Sequence, residues 1–269
     1  MILYFIIIVV LCIFIYLSLI CLIKQRFNGV NKPYISDKPE TFKSNIYGSS
    51  APKNKLTPIF NVLLKHWSKL TSKLNINWTL AYGSLLGHQR NKDYIPYDSD
   101  IDVLVDRSAI PKLLGLLDGY SCFYQTDTIK FNKLDPGKIY LMINKWHNYP
   151  LKNRRFRINC LGRRVDSQVD DCSFVGPFAR LIYKHTHLDI DLYCRYQNRY
   201  RDLGYRDGNY FSWFPSYLAE PLPTTTRSSL HGIPVRVLKR PHFFLTNYYG
   251  KKYLKPNKIW KNKKWVENN

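Results

Sequence analysis

Residues 82–106 read Y-G-S-L-L-G-H-Q-R-N-K-D-Y-I-P-Y-D-S-D-I-D-V-L-V-D, and no other stretch restricts the fold so strongly. The run Ile101–Val105 predicts a strand. A strand alternates its faces at every residue, so Asp100 and Asp102 point the same way. Two like charges on one face of an apolar strand repel and are costly to desolvate. A divalent cation is the usual reason to keep both. Gly83 and Ser84 precede them at a predicted strand-to-helix junction, where backbone N–H groups and the helix dipole favour an anion. Glycine there permits close backbone approach. Arg90 follows Ser84 by six residues, and a fork-shaped cation suits a diphosphate. Together these features suggest a metal-dependent transferase that handles a nucleotide phosphate.

Carboxylates occur twice in this pattern. Asp98, Asp100 and Asp102 form one set; Asp189 and Asp191 form another, again two apart on an apolar strand. If the two strands are sheet neighbours, the sets converge on one or two Mg²⁺ or Mn²⁺ ions. For a lone D-x-D, strand-end capping or pairing with basic residues is the better reading. Two pairs beside a Gly-Ser turn favour the metal. His88, His185, His187 and His231 read as structural histidines. The chain has no G-x-x-x-x-G-K-[ST] loop, no G-x-G-x-x-G fingerprint and no nucleophile elbow.

Lys and Arg total 41 against 19 Asp and Glu, a formal charge of +22 over 269 residues. Such a surplus implies an anionic partner: nucleic acid, a membrane surface or phosphorylated substrates. Seven of the lysines fall in the last 19 residues, between and around Trp260 and Trp265, and this stretch reads as a solvated, partly mobile tail. Residues 1–23 carry no charge and would span about 34 Å as a helix, enough for a bilayer core. With no basic n-region and no small-residue cleavage site, they read as a membrane anchor rather than a signal peptide. Lys24 and Arg26 just beyond would by themselves put the rest of the chain in the cytosol. Residues 24–56 are polar, with Pro33, Pro39 and Pro52, and read as a stem. Residues 57–269 are left as the catalytic domain. Cys122, Cys160, Cys172 and Cys194 permit two disulfides or four free thiols, and their spacings do not resemble a zinc site.

Within that domain, Ile59, Leu63, Trp67, Leu70 and Leu74 predict an amphipathic helix over 58–74. A strand is expected over 77–82, then a short helix over 85–90 stopped by Pro96. Ser108 is the expected N-cap of a helix through Leu117. Strands are expected over 138–144 and 235–238. Two more, within 179–193, are joined by a His-Thr-His turn. Arg154–Arg164 holds five arginines in a hairpin-like stretch, and a helix over 241–249 should end at Gly250.

The segment Tyr82–Asp102 resembles the signature of the LicD/fukutin family at Gly83, Leu86, Gly87, Arg90, Ile95, Pro96, Asp98, Asp100, Ile101 and Asp102. Ile190-Asp191-Leu192-Tyr193 resembles that family's second acidic strand. His231–Val235, with Tyr249-Gly250 and Tyr253, is a weaker echo of its closing segment. The resemblance implies an α/β (α+β) fold: a nucleotidyltransferase-like mixed sheet with flanking helices, here preceded by a transmembrane helix. It implies metal binding by Asp100, Asp102 and Asp191, with Asp189 as the alternative third ligand or base. Gly83, Ser84, Arg90 and Asp98 would lie against the donor nucleotide. The implied substrates are a CDP-linked donor, of the CDP-ribitol or CDP-choline type, and a glycan or glycoprotein acceptor. Nucleic acid is not expected as a partner. Because eukaryotic members are Golgi type II proteins, the resemblance places the catalytic domain in the Golgi or ER lumen, against the charge bias at Lys24 and Arg26. Ser99 stands where many members carry a further acid, and the Arg154–Arg164 stretch has no family counterpart. Two alternatives remain at this level: an RNA nucleotidyltransferase, or a non-catalytic membrane-tethered glycan-binding module.

Overall fold

The computed structural model describes residues 45–117, 137–143, 157–160, 163–174, 177–196, 199–202, 212–213 and 225–268. All belong to one compact unit running from Phe42 to Asn269. Among them, no helix is long and apolar enough to cross a membrane, and the expected anchor at 1–23 lies outside the described residues.

Helix α1, Thr57–Lys73, opens with a proline in its first turn, where no backbone donor is needed. The Asn54 side chain accepts from the Leu56 N–H at 2.8 Å and fixes the chain's entry. The buried face is Phe60, Leu63, Leu64, Trp67 and Thr71. It is turned slightly from the expected stripe, so Ile59, Leu70 and Leu74 flank the core half-buried.

Among the described residues the main sheet has seven strands: β1 Trp78–Leu80, β2 Asp100–Asp106, β3 Tyr140–Ile143, β6 Ala179–Tyr183, β7 Thr186–Tyr196, β8 Arg199–Asp202 and β9 Ser212–Trp213. Its order is β1-β2-β7-β6-β3, with β8 on the far end of β7 and β9 on β8. Only β2 and β7 are parallel; the rest are antiparallel. Ile101, Val103 and Val105 lie in register with Leu188, Ile190 and Leu192. These six side chains share one buried core with Phe60, Leu63 and Trp67 of α1. Strand alternation therefore sends the even residues of β2 and the odd residues of β7 to the opposite face.

That opposite face is partly covered by a small second core of Met142, Cys172, Phe174 and Ile182. A disulfide between Cys160 and Cys172 ties this segment together. Inside the segment, β4 Arg157–Ile158 pairs with β5 Arg164–Val165, so part of the arginine-rich stretch is a hairpin. The turn joining β6 to β7 is Lys184-His185, both left-handed, rather than His-Thr-His; Thr186 and His187 belong to the strand.

Four other expectations shift. The helix after β1, α2, runs Tyr82–Asn91 and ends at left-handed Lys92, before Pro96 has any part in stopping it. Asp106, not Ser108, is the cap, accepting from the Ser108 N–H ahead of a 3-10 turn and a short helix α3, Ile110–Leu114. The lysine-rich end is a hairpin, β12 Lys258–Lys261 with β13 Lys264–Glu267, and not a solvated tail. Its Trp260 N–H donates to the Tyr47 carbonyl, and Trp265 meets the rings of Tyr47 and Tyr97 edge-on. Tyr47 is itself buried in the main core, so residues expected to be stem are built into the domain. The hairpin β10 Thr225–Leu230 and β11 Ile233–Leu238 turns at His231-Gly232, and helix α4, Pro241–Tyr249, ends at Gly250 as expected.

Candidate active site

The site is built where β1 gives way to α2. The Ala81 N–H donates to the Asp102 carbonyl at 3.0 Å, and the Asp102 N–H donates to Ser84 Oγ at 2.9 Å. The first turn of α2 is thereby bonded to β2 at Asp102. Tyr82, the first helical residue, has φ +38°, a strained value for an aromatic L-residue. Its ring packs on Tyr248 and Phe244 of α4, which hold the junction in place. A Cβ at Gly83 would lie 2.5 Å from Asp98 Oδ2 and 3.5 Å from Asp102 Oδ2. Any side chain there would fill the acid pocket. The positive end of the α2 dipole thus sits beside the carboxylates.

The acids converge through register. Asp102 lies opposite Asp189, Asp100 opposite His187, and Leu104 opposite Asp191. All are on the face away from α1. Asp98 joins from the loop before β2. That loop is held by Asn54, whose Nδ2 donates to the carbonyls of Ile95 and Asp98 at 2.8 and 2.9 Å. His187 Nε2 lies 3.6 Å from Asp100 Oδ2 and 3.8 Å from Asp189 Oδ1. On β6, Arg180 lies opposite Asp189 and grips its carboxylate with two nitrogens, Nε at 2.6 Å and Nη2 at 3.1 Å.

The electrostatics match that crowding. Burial, then the Asp100 charge, pushes the Asp98 carboxyl up to about 7. Burial raises Asp102 well above the carboxylate range, and Asp100, Asp189, Asp191 and Asp98 add to the rise. Burial also raises Asp189, although Arg180 and then His187 pull against it. Asp100, unlike these three, is held below the usual range: burial works against its charge, but the His187 hydrogen bond and the charges of His187 and Arg180 outweigh it. A cluster this reluctant to carry its charge fits a divalent cation. Its carboxylate oxygens suit Mg²⁺ or Mn²⁺, and the missing Cβ of Gly83 leaves room beside Asp98 and Asp102. Asp100, His187 and Asp189 offer ligand atoms all within 4.8 Å of one another.

The structure brings Gly83, Asp98, Asp100, Asp102, Asp189 and Asp191 to one place, but it reassigns two expected donor contacts. Arg90, expected to grip a diphosphate, is buried. It donates instead through Nε and Nη2 to the Tyr253 carbonyl, through Nη2 to the Lys255 carbonyl, and through Nη1 to the Tyr47 hydroxyl. It anchors the C-terminal segment. Ser84, expected to face the nucleotide, is buried and positions Asp102. Asp189 is engaged by Arg180. Two site residues, His187 and Arg180, escaped the sequence reading. The alternation H-x-D-x-D over 187–191 was the signal for the histidine, hidden by misplacing the turn.

Residues 75–158 match the family model described as LicD/FKTN/FKRP, nucleotidyltransferase domain. No curated protein matches the chain. The match spans β1, α2 and β2 and stops short of β7, so the second acid pair rests on the strand pairing alone. The matched segment contains the glycine-serine turn and the Asp98–Asp102 acids, and the match supports assigning this chain to the LicD/fukutin family.

Proposed function

We propose that this protein moves a phosphorylated alcohol, of the ribitol-phosphate or phosphocholine type, from a CDP-linked donor to a glycan hydroxyl. One observation carries the reading: carboxylates from the 98 loop, β2 and β7 gather on one sheet face beside the N-terminus of α2. In the reaction the acceptor oxygen bonds to phosphorus, the bond from phosphorus to the CMP oxygen breaks, and the hydroxyl proton passes to a carboxylate. A divalent ion held by Asp100, Asp102 and Asp191 would neutralise charge developing on the departing CMP. Gly83 leaves the space, and Ser84 and the Ala81 N–H hold Asp102 in register. Asp189, clamped by Arg180, orients the acid face rather than taking the proton. The Cys160–Cys172 bond supports an oxidising compartment, and residues 1–23 would tether the domain there.

The test is a melting-point panel of CDP-ribitol, CDP-choline and CDP-glycerol with Mn²⁺, paired with turnover of whichever donor shifts the protein. Asp100→Asn and Asp102→Asn should each lower turnover about a thousandfold. A panel in which no donor shifts the melting point would dismiss the donor class. Full turnover in both variants would dismiss the catalytic reading.

A further inference from the structure

Arg180 is buried on the acid face, and two of its three nitrogens are bonded to Asp189. The third, Nη1, is also buried, yet it finds no hydrogen-bond partner among the described residues. A buried guanidinium N–H without an acceptor is costly and uncommon, and it marks a place where something else supplies the oxygen. The described residues hold three other such atoms, on Trp67, Asn91 and Arg157. Of the four, only the one on Arg180 belongs to a group already bonded to an acid of the site.

The guanidinium is also fixed in place. One edge is held by Asp189, and the Phe174 ring lies over it at 4.5 Å. Phe174 stands two residues after disulfide-bonded Cys172, in the small core that covers this face. The clamp leaves the plane little freedom to swing Nη1 towards another protein carbonyl. A planar cation held this way suits a fixed anionic oxygen better than a mobile surface charge would. Apart from His187, the groups gathered beside it are the carboxyls of Asp98, Asp100, Asp102, Asp189 and Asp191, so an incoming anion needs a fixed cation among them.

We infer that Arg180 contacts the substrate through Nη1, which donates to a phosphate oxygen of the donor diphosphate. This inference rests on the transferase reading and adds a residue to it from outside the matched segment 75–158. The probes are Mn²⁺ alone, Mn²⁺ with CDP, and Mn²⁺ with inorganic pyrophosphate, binding to the full chain in detergent. Arg180→Lys keeps a cation beside Asp189 but has no fork. It should hold Mn²⁺ as the wild type does and bind CDP about ten- to a hundredfold more weakly. Pyrophosphate, which lacks the nucleoside, should weaken by the same factor. Asp189→Asn loosens the gripping edge but keeps Nη1, so at saturating Mn²⁺ it should weaken CDP clearly less than Arg180→Lys does. If Arg180→Lys does not fold, Arg180→Gln with Asp189→Asn removes both halves of the pair together and should show the same loss of CDP and pyrophosphate. The inference is overturned if Asp189→Asn weakens CDP as much as the Arg180 variant does, because Arg180 then acts only by holding Asp189. It is equally overturned if CDP affinity is unchanged. A wild-type chain that binds neither Mn²⁺ nor CDP rejects the transferase reading itself, and this inference with it.

Discussion

Arg90 and Arg180 are equally hidden, 6% and 7% exposed, yet their surroundings treat them differently. Arg90 lies on α2, and every nitrogen of its guanidinium meets a protein oxygen from the C-terminal segment or Tyr47. The same helix carries Ser84 and His88, each also bonded within the protein. Arg180 lies on β6 against a surplus of acids and keeps one nitrogen without a partner among the described residues. Satisfaction separates a strut from a site. Where buried polar groups close on one another they hold the fold, and where one is left open beside the acids of a site a ligand oxygen would complete it.

The contrast can be broken at either end. Asp102→Asn should lower turnover about a thousandfold. Its melting point without metal should equal or exceed the wild type's, because Asn avoids the cost of burying that carboxyl among the other acids. A drop in both turnover and melting point would make the acid face structural. Arg90→Met should do the reverse in its main effect, lowering unfolding free energy in urea by about 3–5 kcal/mol by leaving buried carbonyls without donors. The affinity of the surviving folded fraction for CDP should be nearly normal. Loss of affinity with full stability would return Arg90 to the donor site.

His88 sharpens the comparison through pH. Burial, then the Lys92 charge, pushes its imidazole down to about 4. In the unfolded chain it titrates near the ordinary value of about 6.5, so protons favour unfolding. Its contribution is complete above pH ~6.5 and is lost as pH falls towards 4, by about 3 kcal/mol in all. His88→Gln should flatten the acid side of the stability curve over that window. An unchanged slope would show that His88 is not held neutral. The smallest effect is expected from Cys160→Ser, which opens a short loop. It should cost about 2 kcal/mol of stability and loosen Phe174 over Arg180, read as a few-fold weaker hold on CDP. Unaltered affinity would show that the cover over the guanidinium needs no tether.

Much of the site could be read from residues 82–106 alone. Period-two alternation put Asp100 and Asp102 on one face, and the same rule applied to Asp189 and Asp191. Local spacing does not carry partnership. Nothing around Arg90 announces the Tyr253 carbonyl, and nothing around Arg180 announces Asp189, because each bond depends on how distant segments dock. A turn placed one residue too far along removed His187 from β7 and with it from the acid face. The lysine-rich end misled for a different reason: its composition describes solvent-facing charge, while Trp260 and Trp265, the residues that dock it, are few. The segment 45–56 was judged by its prolines and polar residues, although Tyr47 and Asn54 bind it to the domain.

The parallel pairing of β2 with β7 sets when the site can exist. Asp102 and Asp189 face each other across one strand spacing, yet they are some ninety positions apart along the chain. A ribosome that has released β2 but not yet β7 has made the glycine-serine turn and three of the five acids, with no opposite wall. Such long-range closure is slow in folding because the loop must be ordered before its contacts form. A truncated or nascent product would therefore carry the most recognisable stretch of this sequence without its chemistry.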